Sequence, residues 1–190
     1  MNDRLSPTSA PGATTTVEPR MRVLYTAETI AARVREMGLE IARDYDQKCP
    51  ILIGVLKGAV MFTGDLARAT AIDLEIDFVT LSSYGSGTSS SGTVRMASDT
   101  RGDIAGRHVL VCEGVVDSGL SLSFLLDTLA ARKPASLKVA ALLDKRPCRK
   151  IEVPVEYAGW RIGSEFVVGY GMDAAEKWRN LPYVGVIEEN

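Results

Sequence analysis

The stretch His108–Ser123, HVLVCEGVVDSGLSLS, decides the fold. Its first half is a run of apolar, mostly β-branched residues, the composition of a strand buried on both faces. Its second half breaks into Asp117-Ser118-Gly119, after which Leu122, Leu125, Leu126 and Leu129 recur at helical spacing. Two acids, Glu113 and Asp117, stand four apart at the expected end of the strand. Carboxylates beside a buried strand are costly unless something binds them. A helix N-terminus offers free backbone N–H groups and a partial positive charge. Gly119 lets the backbone come close to a ligand, and Ser118 and Ser121 add hydroxyl donors. The turn therefore reads as a phosphate cradle. An ordinary serine-capped turn needs the same loop residues, but it does not need Glu113 as well.

Working outward, the chain alternates strands and helices. Thr26 is placed to cap a helix over 27–45, with apolar residues at Ile30, Val34, Met37, Ile41 and Tyr45. CPILIGVL (49–56) reads as a buried strand, and KGAVMFTGDLARAT after it as a helix. DLEIDFVTL (73–81) alternates as a strand, VRMAS is a short strand, and SLKVAALL (136–143) is another buried one. The C-terminal segment reads as short strands and turns, with a helical turn near Ala174–Arg179. SSYGSGTSSSGT (82–93) is a Ser/Gly/Thr loop, expected to be mobile. Strands alternating with helices imply an α/β fold with a mostly parallel sheet flanked by helices. Ligands of such sheets bind at the carboxyl ends of the strands, where each of the unusual stretches lies.

Composition narrows the function classes. A chain of 190 residues, 46% hydrophobic, suits one domain with a full core, expected over 21–190 behind a disordered tail at 1–20. A net charge of −2 argues against a general nucleic-acid binder. Three scattered cysteines and one histidine argue against a zinc site and fit a reducing compartment. The first twenty residues have no apolar core, so no secretory leader is expected, and no run approaches a membrane span. The expected location is the cytoplasm.

The motifs bring a resemblance. VLVCEGVVDSGLSL resembles the phosphoribosyl-pyrophosphate (PRPP) loop of the type I phosphoribosyltransferases. GVLKGAVMF, SSYGSGTSSSG, LLDK, EFVVGYGMD and EKWRNLPYVGV are similar, in order, to segments of hypoxanthine(-guanine) phosphoribosyltransferases. The similarity runs from about residue 22 to 187. It implies the type I fold, with a small hood built from the chain ends and the mobile loop. It also implies transfer of 5-phosphoribosyl from PRPP to N9 of hypoxanthine or guanine, with Mg²⁺ and release of pyrophosphate. By resemblance, the loop Asp117, Ser118, Gly119, Leu120 and Ser121 cradles the 5′-phosphate, and Asp117 is also the candidate general base facing N7. Glu113 contacts the ribose. Lys57, Gly58 and Arg179 hold pyrophosphate, often with a non-proline cis peptide before the lysine. Lys145, Phe166, Val167 and Asp173 form the base site. Glu113 and Asp173 are the candidate metal ligands, and Ser83 and Tyr84 open a lid loop. The expected partners are PRPP and a 6-oxopurine, with no nucleic acid and no membrane, in a homodimer or homotetramer. Trp160, where a smaller aromatic is usual, reads as packing.

The chain departs from the pattern at Glu113-Gly114, where the family has two adjacent acids. A charge-assisted hydrogen bond is worth about 1.5–3 kcal/mol, so one missing carboxylate matters. Ala174 stands where tyrosine is common, and MASDTRGD replaces a more acidic stretch. These departures keep two alternatives open: a phosphoribosyltransferase for another purine-like base, such as a 7-deazapurine, and a PRPP- or nucleotide-sensing regulator without turnover.

Overall fold

The computed structural model describes residues 20–83 and 94–188. The lid-loop residue Tyr84, with the rest of the segment to 93, and the N-terminal tail expectation up to residue 19 fall outside the described residues. Ser83 closes a strand.

Six strands form the main sheet: β2 (Ile51–Leu56), β3 (Glu75–Ser83), β4 (Val94–Ser98), β5 (His108–Val116), β6 (Ser136–Asp144) and β7 (Tyr157–Arg161). Their order is β4-β3-β2-β5-β6-β7, and only β4 runs antiparallel to its neighbour. A hood of three antiparallel strands joins β1 (Met21–Tyr25), β9 (Val184–Ile187) and β8 (Val167–Val168). The two chain ends thus contribute to the hood, as the resemblance implies, while the loop expected to join them lies outside the described residues.

Helices α1 (Ala27–Asp44) and α2 (Val60–Thr70) cover one face of the sheet. Thr26 caps α1 by accepting from the Thr29 N–H. Ile30, Val34, Met37 and Ile41 then pack with Phe62 and Leu66 of α2 on Leu52, Leu110 and Leu142. Helix α3 (Leu120–Ala130) covers the other face, with Leu122, Leu125 and Leu129 against Ile53, Val111 and Val139. Two-faced burial explains the unbroken apolar runs of the central strands. Tyr25 stacks on Trp160 with ring centroids 4.1 Å apart, tying the hood to β7. Trp160 is therefore packing. Among the described residues, no helix is long and apolar enough to cross a membrane.

Two expectations need correction. The strand carrying Glu113 does not end there: Val115 and Val116 still pair with Leu143 and Asp144, so β5 runs to Val116. Glu113 lies inside the strand, and Asp117 alone stands just past its end. The segment Ala174–Arg179 is not a helical turn. Ala175, Glu176 and Trp178 have φ of 50°, 65° and 70°, and Ala174 bridges to Lys177. Here the Asp173 carboxylate accepts the Glu176 N–H at 2.8 Å, a local bond that competes with helix formation.

Candidate active site

The carboxyl ends of β2, β5 and β6 open into one cleft of about 290 Å³ under the hood. Its walls are Lys57, Gly58, Asp117, Lys145, Phe166, Val167, Asp173 and Arg179, joined by Val115 and Met172. The first eight are residues singled out from the sequence. Val115 and Met172 were not, since an apolar residue lining a cleft has the same sequence signature as one lining a core.

Asp117 is exposed, while the side chain of Lys145 is only 5% exposed. The Lys145 Nζ donates to Asp117 Oδ2 at 3.4 Å. A lysine at a strand end is ordinarily solvated, so its burial beside a carboxylate marks a built site. Asp117 does not cap α3, whose N-cap is Gly119 and whose cap makes no side-chain hydrogen bond. Ser118 Oγ accepts weakly from the Leu120 N–H, at 3.4 Å. Gly119 has φ +82°, and a Cβ there would meet the Ile151 carbonyl at 2.3 Å. Glycine is required twice over, by conformation and by space. Phe166, 58% exposed, offers a free ring face to the cleft, and Val167 behind it is buried in β8.

On the opposite wall, the Leu56–Lys57 peptide is cis. The Lys57 ammonium pairs with Glu176 at 2.9 Å, and Arg179 pairs with Asp173 at 2.8 Å and Glu176 at 3.4 Å. Arg179 also donates to the Gly171 carbonyl at 2.9 Å. Hydrogen bonds from Lys57 and then Arg179 hold the Glu176 carboxyl below its ordinary pKa. The sequence did not single out Glu176, because the left-handed turn that delivers it to Lys57, 119 residues away, has no glycine to announce it.

Glu113 is half-buried in β5 and does not line the cleft. Burial pushes its carboxyl up to about 8, against a lowering hydrogen bond from the Gly114 backbone. Folding therefore favours the protonated form. Its stabilising contribution is complete below the ordinary value of 4.5 and is lost as pH rises through about 8. The expected result is that the metal-free protein loses melting temperature between pH 5 and pH 9 relative to Glu113→Gln. Parallel melting profiles for the two proteins would refute the burial effect.

Among the described residues, no group of three or more His, Cys, Asp or Glu side chains could hold a metal ion by itself. Asp173 presents a hard oxygen donor to the cleft, which fits a cation that takes most of its other oxygens from substrate and water. Glu113 fits less well, because it does not line the cleft.

Comparisons with known proteins agree with this geometry. The family model described as phosphoribosyl transferase domain matches residues 23–175. The chain is 44% identical over 167 residues to the bifunctional protein TilS/HprT of Listeria monocytogenes, covering 88% of this chain but about a quarter, 26%, of that protein. It is 49% identical over 172 residues to the hypoxanthine-guanine phosphoribosyltransferase of Mycobacterium avium, covering 87% of this chain and 85% of the relative. The crystal structure of a hypoxanthine phosphoribosyltransferase from Staphylococcus aureus superposes with a TM-score of 0.85 at 40% identity, covering 88% of this chain and 91% of that one. With a parallel sheet opening at its strand ends onto the matched segments, this chain belongs to the phosphoribosyl transferase family.

Proposed function

We propose that the protein is a purine-salvage hypoxanthine(-guanine) phosphoribosyltransferase, converting hypoxanthine or guanine and PRPP to IMP or GMP and pyrophosphate. One observation carries this reading: exposed Asp117 and buried Lys145, paired at 3.4 Å within a cleft that also holds Lys57, Arg179 and Phe166. The ammonium of Lys145 is a donor only, so it favours a purine carrying a carbonyl at C6 over one carrying an amine. Phe166 supplies a ring face for stacking and Val167 backbone groups for the purine edge. The amides at the start of α3 suit the 5′-phosphate, and Lys57 with Arg179 suits pyrophosphate.

In the reaction, N9 of the base bonds to C1′ as the C1′–oxygen bond to pyrophosphate breaks. Positive charge builds on the ribose ring, and the proton on N7 passes to Asp117. Asp173, with Glu113 as the second candidate ligand, would hold Mg²⁺, which when bound would supply charge neutralisation for the leaving pyrophosphate. Lys57 and Arg179 must exchange their carboxylate partners for phosphate oxygens when PRPP enters. The enzyme is proposed to act as a cytoplasmic homodimer or homotetramer, with Ser83 and Tyr84 at the beginning of its lid loop.

The test is a base panel with Mg²⁺ and PRPP, read as pyrophosphate release. Hypoxanthine and guanine should turn over and adenine should not. A 7-deazapurine has carbon at position 7, so it has no N7 proton to give to Asp117 and should be slow; preferred turnover of it would replace this reading. Binding of PRPP without turnover of any purine would favour a sensor.

Glu176 gives a smaller prediction. Its carboxylate occupies the cations that pyrophosphate needs, so Glu176→Gln should tighten PRPP binding by up to about fivefold, the weight of an exposed ion pair. Titration of PRPP checks it, and weaker binding would show that Glu176 instead holds Lys57 in place.

A further inference from the structure

The turn after β5 is held from behind by residues 149–151. The Arg149 side chain is only 3% exposed. Its Nη1 donates to the Asp117 carbonyl at 2.9 Å, and its Nη2 donates to Asp144 Oδ1, whose side chain is 1% exposed at the end of β6. Asp144 also receives Arg146 Nε at 2.8 Å. The next carbonyl, that of Ser118, accepts from the N–H groups of Lys150 at 2.9 Å and Ile151 at 3.1 Å. Two consecutive carbonyls are thus drawn towards one segment.

In a planar trans peptide, C=O and N–H point in opposite directions. Drawing the Asp117 and Ser118 carbonyls back onto residues 149–151 turns the N–H groups of Ser118 and Gly119 the other way. Successive amides presented on one side form an anion-binding concavity. The guanidinium is suited to this brace because its planar fork reaches two acceptors on different strands at once, which an ammonium on a flexible stem cannot do. Among the described residues the buried Arg149 Nε has no hydrogen-bond partner, so there the two Nη bonds compensate the burial of the charge.

We propose that Arg149 is a positioning residue that ties the end of β6 to the phosphate turn and fixes the direction of its amides. The inference rests on reading residues 117–121 as the 5′-phosphate cradle. It predicts a split between ligands. A nucleoside 5′-monophosphate depends on the braced amides, whereas pyrophosphate depends on Lys57 and Arg179 across the cleft.

The experiment titrates the full-length protein with IMP and, separately, with pyrophosphate and Mg²⁺, for wild type, Arg149→Lys and Asp144→Asn. Arg149→Lys should weaken IMP binding and raise the KM for PRPP about tenfold, the weight of one hydrogen bond to a charged group, with pyrophosphate affinity within about twofold of wild type. Asp144→Asn keeps an acceptor but loses the charge, and should shift IMP binding in the same direction by less. It also serves should Arg149→Lys fail to fold. Equal losses for both ligands, or no loss for IMP, would overturn the brace. Failure of wild type to bind IMP would instead overturn the phosphate reading on which the brace rests.

Discussion

Asp117→Ala is expected to lower kcat with saturating hypoxanthine by roughly a hundred- to ten-thousandfold, the range for losing a general base. The structure separates this role from a helix cap, because Gly119 rather than Asp117 is the N-cap of α3 and the first-turn amide of Leu120 donates to Ser118. The 5′-phosphate would be held by backbone amides beyond residue 117, so the KM for PRPP should change far less than kcat. Asp117→Asn keeps the side-chain shape but cannot take a proton, and it should fall nearly as far. Asp117→Ala leaves the Lys145 ammonium, 5% exposed, without its 3.4 Å partner, and Asp117→Asn leaves it an acceptor without the compensating charge. An uncompensated buried charge is destabilising, so the melting temperature should fall as well. Single-turnover assays at a temperature where the variants are folded distinguish lost chemistry from lost structure. Near-normal turnover in either variant would remove Asp117 from the proton transfer.

The features legible in the sequence were the local ones. Apolar runs that stop at Lys57, Asp117 and Lys145 mark strand ends, and a parallel sheet brings such ends to one edge whatever lies between them. Residues at those ends therefore meet in the cleft without any knowledge of long-range contacts. The less legible features depend on distance or on backbone direction. Lys145 has the sequence signature of a solvated lysine, and only the depth of β6 shows that it is buried. Glu176 reaches Lys57 through left-handed turns that Ala175 and Glu176 give no reason to expect. Arg149 looks like one charge among several in KRPCRK, yet its guanidinium bridges two strand ends. Glu113 has the sequence signature of a strand-terminal acid, whereas β5 continues through it to Val116.

Gly114 itself yields the second large effect. Restoring the acid that the family pattern has there, by Gly114→Asp, should weaken PRPP and pyrophosphate binding about ten- to a hundredfold, although it adds a carboxylate where the resemblance implies contact with the ribose. A Cβ at residue 114 would meet the Gly58 carbonyl oxygen at 2.8 Å and its carbon at 3.2 Å. A Cβ at residue 171 would likewise fall 2.5 Å from that oxygen. The Lys57-Gly58 turn thus lies close to the backbone at both glycines. Overpacking such a contact costs about 1–3 kcal/mol, and the turn that must shift is the one carrying Lys57. Gly114→Ala separates bulk from charge: it should lose nearly as much as the aspartate variant if packing decides. If Gly114→Asp instead raises turnover, the missing acid limits this enzyme and the close seating of the turn does not. Pyrophosphate titration decides between them, since a ribose-directed carboxylate has no reason to weaken a ligand without a sugar, whereas a displaced Lys57 does.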